Sequence, residues 1–252
     1  MKIDSLNIGG GPNFNQPGWL NLEEVTSPVN PYSFKLTPVC TFPVENMSIK
    51  TVYASHCLEH LDDKTVNRVL EEVHRVFKND GRFIIKIPDF DRALECWKRK
   101  DASFFDTGYD SIVDTWKNRK IKDCVDYRAA VLFCGFWNDE YGDHYSEQIA
   151  KNDHAYHGPP ITSIKYLRGL IMDHTPSEIS AQLCKIVIKN EKSYHFNHRN
   201  AWSSKELEKL LNSFGFQAVS FDKNLILSKC QDILGINHIE KISLYCWAKK
   251  AK

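Results

Sequence analysis

The chain is 252 residues long and 42% hydrophobic, with 33 Lys and Arg against 32 Asp and Glu, a formal charge of +1. That length suits one large domain, or two small ones with thin cores. The balanced charge argues against a broad phosphate-binding surface, so no nucleic-acid partner is expected. No apolar run approaches the ~20 residues that span a bilayer, so no membrane partner is expected either. Met1-Lys2-Ile3-Asp4-Ser5 has no signal-peptide core. Eight scattered cysteines without a C-x-x-C pair read as reduced thiols, and a cytoplasmic location is expected.

Three segments differ in pattern. In residues 1–91, Ser5–Ile8, Trp19–Glu23 and Thr51–Ala54 are strand candidates. Asp62 or Asp63 caps a helix whose buried stripe is Val66, Val69, Leu70, Val73 and Phe77, with Gly81 as its stop. Arg82–Ile87 is a strand closed by Pro88. Strands separated by helices predict a parallel sheet covered on both faces. Residues 92–200 hold many aromatics without a clean period. One helix stands out there, with Thr175 as cap, Pro176 first, Glu178 closing a capping box and Ile179, Leu183 and Ile186 on one face. In residues 201–252, Ser203 with Glu206 opens another helix bearing Leu207, Leu210, Leu211 and Phe214. Gly215 ends it. Phe216–Phe221 and Ile242–Ala248 then predict an antiparallel pair at the sheet edge.

The first strand runs into Gly9-Gly10-Gly11-Pro12. Glycines at a strand end let backbone N–H groups approach a ligand. The spacing is neither G-x-G-x-x-G nor a P-loop, and a bare glycine triplet can be only a tight turn. Few residues separate it from the second strand, so the first crossover is abbreviated, at most about a helical turn. Glu23 ends that second strand, where a carboxylate can accept both hydroxyls of a ribose.

Leu6-Asn7-Ile8-Gly9-Gly10-Gly11-Pro12 followed by Gly18-Trp19-Leu20-Asn21-Leu22-Glu23 resembles the start of class I S-adenosylmethionine-dependent methyltransferases of the small-molecule type, with a shortened first helix. The resemblance continues through Val52–Leu61, Leu70–Arg82 and Ile87-Pro88-Asp89, and resumes at Ser203–Phe216 and the last strand. It implies an α/β, Rossmann-like, seven-stranded mostly parallel sheet with the last strand antiparallel. S-adenosyl-L-methionine would bind at the carboxyl ends of the first strands. By position, Asn7, Gly9, Gly10 and Gly11 would lie against the methionine part, Glu23 would hold the ribose, and Ser55 and His56 would border the site. Three departures stand out. Asn7 replaces a common acid, Pro38–Val44 lacks the adenine-side acid, and Lys50 replaces an aspartate. No motif covers residues 92–200. The chain is expected to be one methyltransferase-like domain, 1–252, with 92–200 a large, mainly helical or irregular insertion covering the substrate side.

Methyl transfer expels a neutral leaving group, so the enzyme mainly aligns nucleophile and methyl in line. A hydroxyl acceptor gains from a base. His56 and Asp89, both at strand ends, are the catalytic candidates. His144, His154 and His157 lie among Tyr141, Tyr145 and Tyr156 in the insertion and cannot be ranked. His56-Cys57-Leu58-Glu59-His60 also fits H-x-x-E-H, a zinc-hydrolase signature in which His56 and His60 ligate and Glu59 is the base. That motif needs a long helix and a third ligand, whereas here it follows a strand, so no metal is expected. The leading function is methyl transfer to an O or N atom of a small-molecule or sugar-like acceptor. A catalytically inactive binding module of the same fold is the alternative, and the zinc hydrolase comes third.

Overall fold

In chain order the elements are β1 (Ser5–Ile8), β2 (Trp19–Glu23), β3 (Ser33–Lys35), β4 (Ile49–Ser55), α1 (Asp63–Val76), β5 (Phe77–Pro88), α2 (Phe90–Arg99), α3 (Val125–Cys134), α4 (Ile164–Asp173), α5 (Pro176–Val187), α6 (Ser204–Ser213), β6 (Phe216–Ser220), α7 (Lys223–Lys229) and β7 (Ser243–Lys250). The computed structural model describes residues 2–11, 14–23, 33–105, 124–134, 163–187, 198–237 and 240–251. None of the described helices is long and apolar enough to cross a membrane. Packing divides the chain into two units, residues 1–87 with 204–252, and residues 88–203.

The first unit is the sheet, in the order β3-β2-β1-β4-β5-β7-β6. The pairs β1–β2, β1–β4, β2–β3 and β4–β5 are parallel, and β6–β7 is antiparallel. β1 and β2 are buried along their whole length, as central parallel strands covered on both faces must be. β6 and β7 form the expected antiparallel pair at the sheet edge, with β7 next to β5.

α1 starts where Asp62 accepts a hydrogen bond from the Thr65 amide at 2.8 Å. Val66, Val69, Leu70 and Val73 form its buried face. The predicted continuation to Phe77 and Gly81 is corrected. α1 ends at Val76, Phe77 begins β5, and Gly81 lies inside that strand. Tertiary packing overrides the helical period here, because the Phe77 ring packs against Phe83 and Phe216. A Cβ at Gly81 would also strike that ring. The opposite face shows the consequence of the short first crossover. Among the described residues no helix joins β1 to β2. Phe14, Trp19, Tyr53, Ile84 and Tyr245 instead pack with Ile226, Cys230, Ile233 and Ile236. The segment between β6 and β7 thus covers sheet that a first helix would otherwise cover. Tyr53 and Tyr245 donate to the carbonyls of Gly235 and Ile236, and Arg82 pairs with Asp232.

The second unit contains α2 to α5, so helices occupy much of a segment in which periodicity singled out one. Phe133 packs on Phe90 and Trp97. Asp126 accepts from Trp97 Nε1 at 3.0 Å and from Arg168 at 2.9 Å, tying α2, α3 and α4 together. The expected capping box forms: the Thr175 amide donates to Glu178, and the Glu178 amide to Thr175 Oγ1.

Candidate functional site

Parallel pairing sets Ile8 beside Leu22, so the glycine loop and Glu23 emerge side by side. Gly9 donates its amide to the Leu22 carbonyl at 2.8 Å. Gly9 and Gly11 have φ of 74° and 77°, the left-handed region that glycine enters without strain. Each glycine has a different physical reason. A Cβ on Gly9 would overlap the Cys57 side chain. One on Gly10 would overlap the amides of Asn7 and Asn21. Beside Gly11 the space is open.

Asn7 and Asn21 face each other across the β1–β2 pair, and each is 1% exposed. Asn21 Nδ2 donates to Glu23 Oε1 at 2.6 Å and to the Gly11 carbonyl at 3.1 Å. The Gly11 amide in turn supports the Glu23 carboxylate. Burial raises the pKa of Glu23, and these two donors only partly offset it. Asn7 Oδ1 and Asn21 Oδ1 are buried without a hydrogen-bond partner among the described residues. Loop, amides and carboxylate form an open-ended polar cradle at the carboxyl ends of β1 and β2.

The end of β4 adjoins it, because Gly9 packs against Cys57. Ser55 is the last residue of β4 and hydrogen-bonds Tyr53, whose pKa burial raises. His56 adopts φ 47°, uncommon for a residue with a Cβ. Its amide donates to the Lys86 carbonyl at 2.8 Å. Its Nε2 lies 2.8 Å from Ser243 Oγ and its Nδ1 3.3 Å from Glu59 Oε1. His56 precedes a three-residue turn, Leu58–His60, and the long helix begins after the H-x-x-E-H segment, at Asp63, as expected from Asp62-Asp63. Asp89 belongs to the second unit and caps α2 by accepting from the Arg92 amide at 3.0 Å. Burial raises its pKa. His144, His154 and His157 lie outside the described residues.

Residues 19–85 match the family model described as a methyltransferase domain. Over that segment the chain is similar to methyltransferase domains. No curated protein matches the sequence. Among solved structures, the domain is similar to PKMT2 from Rickettsia typhi, with 10% identity over 99% of this chain and 48% of that one, TM-score 0.38. It is also similar to LepI in complex with SAM, with 9% identity over 100% and 43%, TM-score 0.40. A third is an S-adenosylmethionine dependent methyltransferase from Mesorhizobium loti, with 11% identity over 99% and 91%, TM-score 0.42. The chain spans less than half the length of the first two. These likenesses are distant.

The sequence pattern did not single out Asn21, Ser243 or Lys86. Asn21 could have been found as a polar residue two positions before Glu23, on the same face of a strand with apolar neighbours. Lys86 is fully buried, with Nζ 5.5 Å from the centre of the Tyr245 ring and 3.3 Å from the Ile236 carbonyl. Neither Lys86 nor Ser243 has a local signal, because their partners are distant in sequence.

Proposed function

We propose that the cradle of Asn7, Gly9, Gly10, Gly11 and Glu23 binds S-adenosyl-L-methionine, and that the chain transfers its methyl group to an O or N atom of a small-molecule or sugar-like acceptor. One observation carries this reading: Glu23, buried yet supplied among the described residues with only neutral donors, stands beside a glycine loop where no described atom lies within 4 Å of a Cβ placed on Gly11. A structural acid would be neutralised by a cation. An acid awaiting a sugar diol needs only to be held in place. The two unpartnered amide oxygens suit a ligand that brings N–H or O–H donors. When bound, S-adenosylmethionine supplies a sulfonium methyl that leaves a neutral sulfide.

The chain's own residues then bind and align. Glu23 accepts the ribose hydroxyls, and Ser55 and His56 border the reacting end. His56 is the candidate base, its ring oriented by Glu59 and Ser243. Asp89 is the weaker candidate, since its carboxylate already caps a helix. Residues 92–200 are proposed to choose the acceptor, because the chain enters them from the carboxyl end of β5. All eight cysteines are thiols, in keeping with a cytoplasmic setting.

One observation favours a binding module without chemistry: both ring nitrogens of His56 already face partners. Calorimetry with S-adenosylmethionine and S-adenosylhomocysteine tests the shared first step. Binding of either supports the cradle, and no heat at millimolar ligand overturns it. Transfer of a labelled methyl to any acceptor then separates enzyme from module.

A further inference from the structure

Of the features outside the residues already assigned, the Asn21 side chain has the most specific geometry. We infer that Asn21 is a positioning residue that locks the ribose-accepting carboxylate and the glycine loop into one rigid unit. The inference rests on the methyl-donor reading above.

The geometry forms a closed triangle. One amide group, 1% exposed, donates at 2.6 Å to Glu23 Oε1 and at 3.1 Å to the Gly11 carbonyl. The Gly11 amide supports the same carboxylate. The Asn21 Oδ1 also lies 2.7 Å from where a Cβ on Gly10 would sit, behind the nearer Asn7 amide. Turning the Asn21 side chain would therefore release Glu23 and Gly11 together. Glu23 has free rotamers of its own, and ordering a glutamate side chain costs up to about 2 kcal/mol when nothing holds it beforehand. Asn21 holds Oε1 of the carboxylate in place. Side-chain amides suit this task because they donate without neutralising the acceptor. A lysine or arginine there would compete with the ribose for the charge.

Asn21→Asp tests this with almost no change in shape. At pH 8 it replaces the donor by a second carboxylate, and S-adenosylhomocysteine should bind about 10- to 100-fold more weakly. Lowering the pH to 6 lets the pair share a proton, which restores a donor to Glu23. Affinity of the variant should therefore rise on acidification, while that of the wild type does not. A merely structural role for Asn21 would not reverse the sign of this pH dependence. Should Asn21→Asp not fold, Asn21→Ser with Glu23→Gln in a double-mutant cycle gives the same information. Asn21→Ser should weaken binding in the wild-type background and add nothing once Glu23 is changed. Wild-type binding with unaltered affinity in the Asn21 variants, or fully additive losses, overturns the inference alone. A wild type that binds no S-adenosylhomocysteine overturns the methyl-donor reading itself.

Discussion

Glu23 at the end of β2 and Glu72 on α1 are both glutamates folded out of water, 9% and 3% exposed, and their surroundings treat them oppositely. Glu72 accepts from the Phe42 amide at 2.7 Å and from Arg75 at 2.6 Å, with Arg68 3.2 Å away. Burial pushes its pKa up, but the Arg75 and Phe42 hydrogen bonds and the two guanidinium charges outweigh it, so the net shift is downward. Arg75 also binds the carbonyls of Phe42 and Val44, and Arg68 that of Cys40. Glu72 is thus the centre of a clamp that fastens residues 40–46 to α1. Glu23 has two neutral donors, and burial prevails, so its pKa is raised. One carboxylate is saturated with cations and serves the fold. The other is buried beside neutral donors, as the proposed ribose contact would require.

Four substitutions and one titration can break or sharpen this contrast. The largest effect is expected for Glu72→Ala. Removing the acceptor leaves the Phe42 amide unsatisfied and takes a carboxylate partner from two part-buried guanidiniums, and folding should lose about 3 kcal/mol at neutral pH. Urea denaturation measures it; a loss below about 1 kcal/mol would make Glu72 an ordinary surface acid. Gly9→Ala comes next, combining a left-handed φ with overlap against Cys57, at about 2–3 kcal/mol of folding stability. Glu23→Ala should behave in the opposite way to Glu72→Ala. Cofactor affinity should fall by about 1.5–3 kcal/mol, while the urea midpoint hardly moves. Unchanged affinity in the folded variant removes Glu23 from the site. Gly11→Ala is the smallest, about 1 kcal/mol, since strain is its only cost and no atom lies near the added Cβ.

Acid titration should separate the two carboxylates without any mutation. Glu72 has a folded pKa below the reference 4.5, so its stabilisation is complete above that value and is lost as pH falls through the folded pKa. Glu23 has a folded pKa above 4.5, so between the two values the folded state holds the extra proton. Its contribution to stability therefore falls as pH rises through that window, while its affinity for ribose grows. Cofactor affinity should then fade at a higher pH than the Glu72 contribution to stability. Calorimetry with S-adenosylhomocysteine and urea midpoints, both from pH 8 down to about pH 2, provide the check. Coincident midpoints for the two losses would erase the distinction.

Much of this was readable from residues near one another in the chain. The Asp62 cap, the Thr175–Glu178 box, the strand leading into three glycines and the acid closing the next strand are local arrangements. Backbone sterics and short-range hydrogen bonds specify them wherever the rest of the chain goes. The short first crossover was readable too, because a strand-to-strand distance in residues bounds what can fit between. Tertiary structure decided the rest, and long-range contact was the reason each time. Phe77 has a helical position in the sequence but a strand position in the sheet, because Phe83 and Phe216 receive its ring. The antiparallel β6–β7 pair was expected at the sheet edge, but that β7 rather than β6 lies next to β5 is encoded by no local pattern. Residues 226–236 cover the face left bare beside the short crossover, although more than 200 positions separate them from Phe14. At the site, the sequence offered Glu23 as a candidate, but only the parallel register of β1 and β2 sets Asn21 between that carboxylate and Gly11. A side chain's neighbours along the chain fix its conformation, whereas its chemistry depends on the atoms that folding brings to it.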